Sequence, residues 1–117
     1  MKPWMIHLIV RDSKIPALVS WFFTVAAIAF GPFIFIRKGY DTETLINHER
    51  IHIVQQYELL FVGQWLLYVI FWLIGLIKHR NARTAYVENP FEKEAYACAY
   101  NKNYLSTRKP WSWTMYV

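Results

Sequence analysis

The sequence predicts a mainly α, single-domain, membrane-associated protein. In it a helix carrying HExxH packs on a later glutamate-bearing helix, with one or two hydrophobic membrane-associated helices and room for one short strand. Three observations lead there. A chain of 117 residues supports one modest core and no separate module. Its 56% hydrophobic and 19% aromatic content suits lipid contact or an unusually apolar core, and excludes a disordered chain. The stretch "INHERIHIVQQ" (46–56) then places two histidines and a glutamate inside an otherwise apolar, proline-free segment.

The charge supports the membrane reading. The net charge is +5, and its cations sit beside apolar runs: Arg11 and Lys14, Arg37 and Lys38, then Lys78, Arg80 and Arg83. That placement fits anionic lipid headgroups, so membrane lipid is the expected partner and nucleic acid is not. Cys98 stands alone, which rules out an intrachain disulfide and a cysteine-based zinc site. It reads as a small packing residue.

Taken in order, residues 1–14 alternate apolar positions at Ile6, Leu8 and Val10, the pattern of a strand or an interfacial segment. Residues 15–36 carry no charge and are long enough to span a bilayer, an anchor candidate without a clear signal-peptide cleavage site. Gly31-Pro32 offers another division, a helix to about Phe30 followed by a strand "FIFIRK". The third block, 41–77, predicts the HExxH helix and its hydrophobic continuation. Asp41 or Thr42 supplies an N-cap, Glu43 favours the first turn, and Gly63 or Gly75 permits a bend. The last helix is expected over 90–105, capped by Asn89 and opened by Pro90.

The motif His48-Glu49-Arg50-Ile51-His52 carries the chemistry. Residues i and i+4 share a helix face, so both imidazoles can reach one tetrahedral metal ion, expected to be Zn2+. Glu49 lies about 100° around the helix, placed to act as a general base toward water without ligating. The bland alternative is a solvated helical face. A catalytic zinc needs a third protein ligand, and Glu88, Glu92 and Glu94 follow downstream. Glu92 shares its face with Ala95 and Ala99, which permit close helix approach, and is preferred; Glu94 shares its face with Cys98 and Asn101. Against Glu92 stands a capping-box role, folded back on Asn89.

HExxH followed by "ExxA" on a later helix resembles the gluzincin metallopeptidases, among them the CaaX prenyl protease and HtpX-like membrane peptidases. The resemblance implies a small zincin-like helical domain, His48, His52 and Glu92 as zinc ligands, and Glu49 as base. Where that family has an aspartate after the alanine, this chain has Tyr96. From Phe35 onward, "FIRKG…NHERIHIVQQYELL…AYVENPFEKEAY…YLSTRKPWSW" also resembles a family of small bacterial proteins common in Bacteroidota. A bacterial inner-membrane location follows from that resemblance, with no side assigned.

Metal sharing constrains topology. If 15–36 and 59–77 both crossed the bilayer, roughly 30 Å of hydrocarbon would part His48 and His52 from Glu92. Residues 59–77 are therefore expected to form a core or partly embedded helix, and 15–30 the better anchor. Tyr86 and Tyr96, with Gln56, are candidates for orienting a ligand or donating to an oxyanion. Tyr100 is a further candidate donor, and Gln55, beside Gln56, is assigned no role. His7 and His79 read as surface residues, and "KPWSWTMYV" as an interface belt or a packed tail. Together these readings lead to two expectations. One is a zinc-dependent peptidase acting on a peptide or protein; the other is a non-catalytic membrane protein with a structural metal or hydrogen-bonded site, favoured by the absence of a second lobe.

Overall fold

A computed structural model describes residues 8–11, 13–14, 27–30, 32–40 and 42–117. The remaining positions, including 15–26 of the anchor candidate, lie outside the described residues. The described chain is mainly helical with a small sheet. In order it forms β1 (Leu8–Val10), β2 (Ala27–Phe30), β3 (Phe33–Ile36), α1 (Glu43–Glu58), α2 (Val62–His79), α3 (Ala82–Val87), α4 (Pro90–Cys98) and α5 (Tyr104–Thr107). A 3-10 turn at Ser112–Tyr116 closes it.

The sheet order is β1-β3-β2, with β1 parallel and β2 antiparallel to β3. Phe30 pairs with Phe33, so β2 and β3 form a hairpin with a two-residue connection. This corrects two expectations. The end of the charge-free run 15–36 is a hairpin, so neither 15–36 nor 15–30 is one continuous helix. The segment "FIFI" is a strand, as expected, and lies at the centre of the sheet with β1 and β2 at its two edges. Period-2 alternation points Ile34 and Ile36 inward, where they meet Ala27 and the i, i+7 pair Ile46 and Ile53 of α1.

Helix α1 begins at Thr42, whose hydroxyl accepts from the Leu45 N–H at 3.2 Å. Six of its ten buried residues are polar: Asn47, His48, Glu49, His52, Gln55 and Gln56. Such groups stay buried only where partners exist, so this helix marks the site rather than a plain core. The helix expected to run on to 77 instead breaks outright at Leu60 and Phe61, both in left-handed backbone (φ 55° and 63°). The Phe61 N–H turns back to Gln56 O at 2.6 Å, and the Phe61 ring packs on Tyr57 at 4.8 Å. These contacts offset the strain of two non-glycine residues there.

Among the described residues, α2 is long and apolar enough to cross a membrane. One face, with Trp65, Tyr68, Phe71, Trp72 and Gly75, turns to the protein through contacts to Gln56, Glu92, Phe91, Ala82 and Ala85. A Cβ on Gly75 would lie 3.1 Å from the Ala85 Cα, so glycine permits the close approach of α3. The opposite face leaves Val62, Leu66, Leu73 and Ile77 exposed. Arg80 ends the helix in a left-handed cap, bonding Leu76 O at 2.8 Å.

Helix α4 starts as expected, with the Asn89 side chain accepting from the Phe91 N–H at 3.1 Å. It stops at Cys98, short of the expected 105. Asn47 of α1 donates to Ala99 O at 2.8 Å and Asn101 O at 3.1 Å, holding the carbonyl end of α4 against α1. The tail packs in part: Trp113 is buried on Phe91, with ring centroids 4.7 Å apart, whereas Trp111 stays exposed.

Candidate metal centre

Three side-chain atoms converge where α1 meets α4. His48 Nε2 lies 3.0 Å from Glu92 Oε1, His52 Nε2 lies 3.1 Å from the same oxygen, and the two imidazole nitrogens are 3.2 Å apart. Helical spacing stacks the histidines on one face, and Asn47 brings α4 close enough for Glu92 to reach them. Glu92 thus does not fold back on Asn89 as a capping-box residue. Bonds of about 2.0–2.1 Å to a tetrahedral metal space ligand atoms about 3.3–3.4 Å apart. The observed separations fall just inside that, so the donor set of two imidazoles and one carboxylate fits a metal ion with slight expansion. His48, Glu49 and His52 lie close enough to hold one, their ligand atoms within 4.8 Å of one another.

The electrostatics agree with a cation site. Burial disfavours a charged imidazole at His52, yet the Glu92 carboxylate outweighs it and raises His52 to about 10. Burial likewise opposes ionisation of Glu92, but His52 and His48 hold its carboxyl well below the usual carboxylate range. Glu49 is pushed up by burial, which His52 and His48 only partly counter. A main-chain hydrogen bond from Ala29 of β2 holds its carboxylate beside the pair.

The imidazole of His52 is oriented by a chain of hydrogen bonds from the C-terminal segment. Gln55 Nε2 donates to Phe91 O at 3.0 Å and to Glu94 Oε1 at 2.9 Å, both obligate acceptors. Its Oε1 therefore faces His52 Nδ1 at 2.8 Å, which must carry a proton, so that in the neutral, metal-binding form of the ring the Nε2 lone pair is aimed at the centre. Glu94 is held in turn by Tyr104 at 2.6 Å and by Arg108, whose guanidinium also grips Glu58 at 2.8 and 3.0 Å. Although burial alone would raise its pKa, Arg108, Tyr104 and Gln55 together lower it. On α2, the Tyr68 hydroxyl donates to Glu92 Oε2 at 2.6 Å, and Asn89 donates to Tyr68 O at 3.1 Å.

The other predicted residues divide. Glu94 does not join the converging atoms and serves the relay, while Glu88 pairs with Lys93 at the surface. Gln56 turns away from the histidines, donating to Ala29 O at 2.9 Å and accepting from Trp65, so it ties β2 and α2 to α1. Tyr96 stands edge-on to the His48 ring at 4.4 Å, and its hydroxyl reaches that of Tyr86 at 3.4 Å. Tyr86 lines the cleft beside Glu49, whereas Tyr100 is exposed.

Sequence reasoning missed Tyr68, whose only signal is a hydroxyl in an apolar run, and the role of Arg108. It also favoured Gln56 as the orienting amide, whereas Gln55 is the one that meets His52. Compared with known proteins, the chain matches no family model, no curated protein and no solved structure.

Proposed function

We propose that the protein is a membrane-associated zinc-dependent peptidase, with His48, His52 and Glu92 as metal ligands and Glu49 as general base. The convergence of two Nε2 atoms and Glu92 Oε1 within 3.0–3.2 Å, with the Glu49 carboxylate alongside, carries this reading. An N2O donor set suits zinc, which would supply Lewis acidity to polarise a carbonyl and acidify water. Glu49 is the one member of the cluster that does not bond the other three, and burial raises its pKa, the direction that makes a carboxylate a stronger base. It takes a proton from the attacking water and hands it to the leaving amine. Tyr86, in the cleft, is positioned to donate to the developing oxyanion.

The outer face of α2 supports the membrane part. Val62, Leu66, Leu73 and Ile77 form an apolar stripe, and Lys78 and Arg80 lie at its C-terminal end. Because Tyr68 and Phe71, midway along α2, touch Glu92 and Phe91, the helix lies along the domain, and its two ends do not part α1 from α4.

A second reading, a structural metal site without turnover, draws on the low exposure of His48, Glu49, His52 and Glu92, at 3–6%. The cleft reaching Glu49 favours the catalytic reading. Glu49→Gln in zinc-loaded full chain separates them: bound zinc is retained, and peptide hydrolysis drops by about 10²–10⁴-fold. Retained hydrolysis would sink the assignment of Glu49, and absence of hydrolysis in the parent would favour the structural site.

A further inference from the structure

Two cavities meet at Glu49. The first, about 300 Å³, is walled mainly by apolar and aromatic groups, among them Ala29, Phe30, Trp65, Tyr68 and Val69. Phe30 and Trp65 stack within it at 4.5 Å and 4°. The second, about 270 Å³, contains Tyr40, Arg83 and Tyr96 with His48. Ala27, Glu49 and Tyr86 line both, so the two cavities adjoin at Glu49 with unlike chemistry on its two sides.

Each cavity also presents a polar group to a ligand, the exposed Arg83 in the second and Gln64 in the first. Arg83 makes no ion pair among the described residues: Glu88 takes Lys93, Glu43 takes Lys102, Glu58 and Glu94 take Arg108, and Glu92 takes the histidines. Its guanidinium lies 5.7 Å from the Tyr86 ring centroid, a contact that positions the charge without neutralising it. Gln64, 3% exposed, lines the apolar cavity, and no hydrogen bond reaches its side chain among the described residues. An amide so placed offers a hydrogen bond to whatever fills the cavity.

We infer that the site takes a peptide bearing a large apolar side chain on one side of the bond presented to Glu49 and a carboxylate on the other. The apolar side chain fills the Phe30–Trp65 cavity, where Gln64 bonds the peptide main chain. The carboxylate meets the planar fork of Arg83, with the Tyr86 and Tyr96 hydroxyls near it. This deepens the peptidase reading and rests on it. An anionic lipid headgroup is the weaker occupant, because Lys78 and Arg80 already flank the exposed stripe of α2 and offer it their charges there.

The test uses the full chain in detergent as the zinc-loaded Glu49→Gln variant, which binds without turning over. The probes are acetyl-Phe-Glu-amide and acetyl-Glu-Phe-amide, each against its glutamine counterpart, plus acetyl-Phe-Gln with a free C-terminal carboxylate. Tryptophan fluorescence reports binding through Trp65. In at least one order the carboxylate probe binds about 10-fold tighter than its neutral match, and adding Arg83→Gln removes the difference; the free-terminus probe shows whether the carboxylate is a side chain or a chain end. Replacing Phe by Gly weakens every probe. Equal binding of acidic and neutral probes in both orders, or a preference that survives Arg83→Gln, overturns the inference. So does an Arg83→Gln variant that loses only its adhesion to phosphatidylserine vesicles. Charge-selective binding without hydrolysis by the parent sinks the peptidase reading and keeps this one; hydrolysis blind to charge does the reverse.

Discussion

Replacing Gln55 by Leu, nearly the same in size, removes the one side chain that links His52 to the Arg108 network. Three bonds go at once: His52 Nδ1 at 2.8 Å, Glu94 Oε1 at 2.9 Å and Phe91 O at 3.0 Å. Glu94 keeps Tyr104 and Arg108, so its loss is partial. The His52 N–H is left buried without a partner, whereas the Phe91 carbonyl keeps its place in the α4 helix ladder, so the fold loses about 1–3 kcal/mol. The centre loses more specifically. With nothing fixing the proton on Nδ1, the ring can swap tautomer or rotate, and removing such an outer partner weakens metal binding about 10–100-fold. Zinc affinity measured by chelator competition on the folded variant checks this, alongside urea unfolding. Tyr104→Phe is the control, because it loosens Glu94 and leaves the Gln55 bonds in place. If Gln55→Leu is folded and binds zinc within a factor of about three of the parent, the relay does not orient His52, and the tautomer argument fails.

Further outcomes follow from the same contacts. Tyr68→Phe deletes the 2.6 Å bond to Glu92 Oε2 and is expected to lower zinc affinity about 10-fold with the helical content unchanged, read by chelator competition and circular dichroism. The folded-state pKa of Glu94 is depressed, so the stability it contributes is fully present above the ordinary carboxylate value of 4.5 and is lost as pH falls through the lower folded value. Urea unfolding of the metal-free chain between pH 6 and pH 3 is therefore expected to steepen with acidity, and Glu94→Gln, less stable at pH 6, to flatten that dependence. Placing aspartates at Leu66 and Leu73 on the exposed face of α2 is expected to abolish flotation with lipid vesicles while zinc binding persists; unchanged flotation would refute the lipid role of that face.

Local rules explain the parts of this molecule that were legible without coordinates. Thr42 and Asn89 cap helices because each has a short polar side chain ahead of an apolar period, and HExxH aligns two imidazoles because a helix turns once in 3.6 residues. The small side chains of Ala95 and Ala99, both buried, lie on the face that brings Glu92 to α1. Residues 59–77 were expected as a core or partly embedded helix; α2 instead packs one face on the protein and leaves the other exposed. The hairpin inside the charge-free run was only half visible: Gly31-Pro32 marked the turn, and no charge pattern separated strand from helix before it.

Which groups can meet on one helix face follows from their spacing along a single segment of chain. What holds them there depends on packing between distant segments. Leu60 and Phe61 carry no breaker signal, and their left-handed turn persists because Gln56 O and the Tyr57 ring compensate it. The 90–105 helix stops early because Asn47, some fifty positions upstream, captures its last carbonyls. The order Arg108, Glu94, Gln55, His52 joins residues up to 56 positions apart by hydrogen bonds, and such bonds leave no period in the chain from which they could be read.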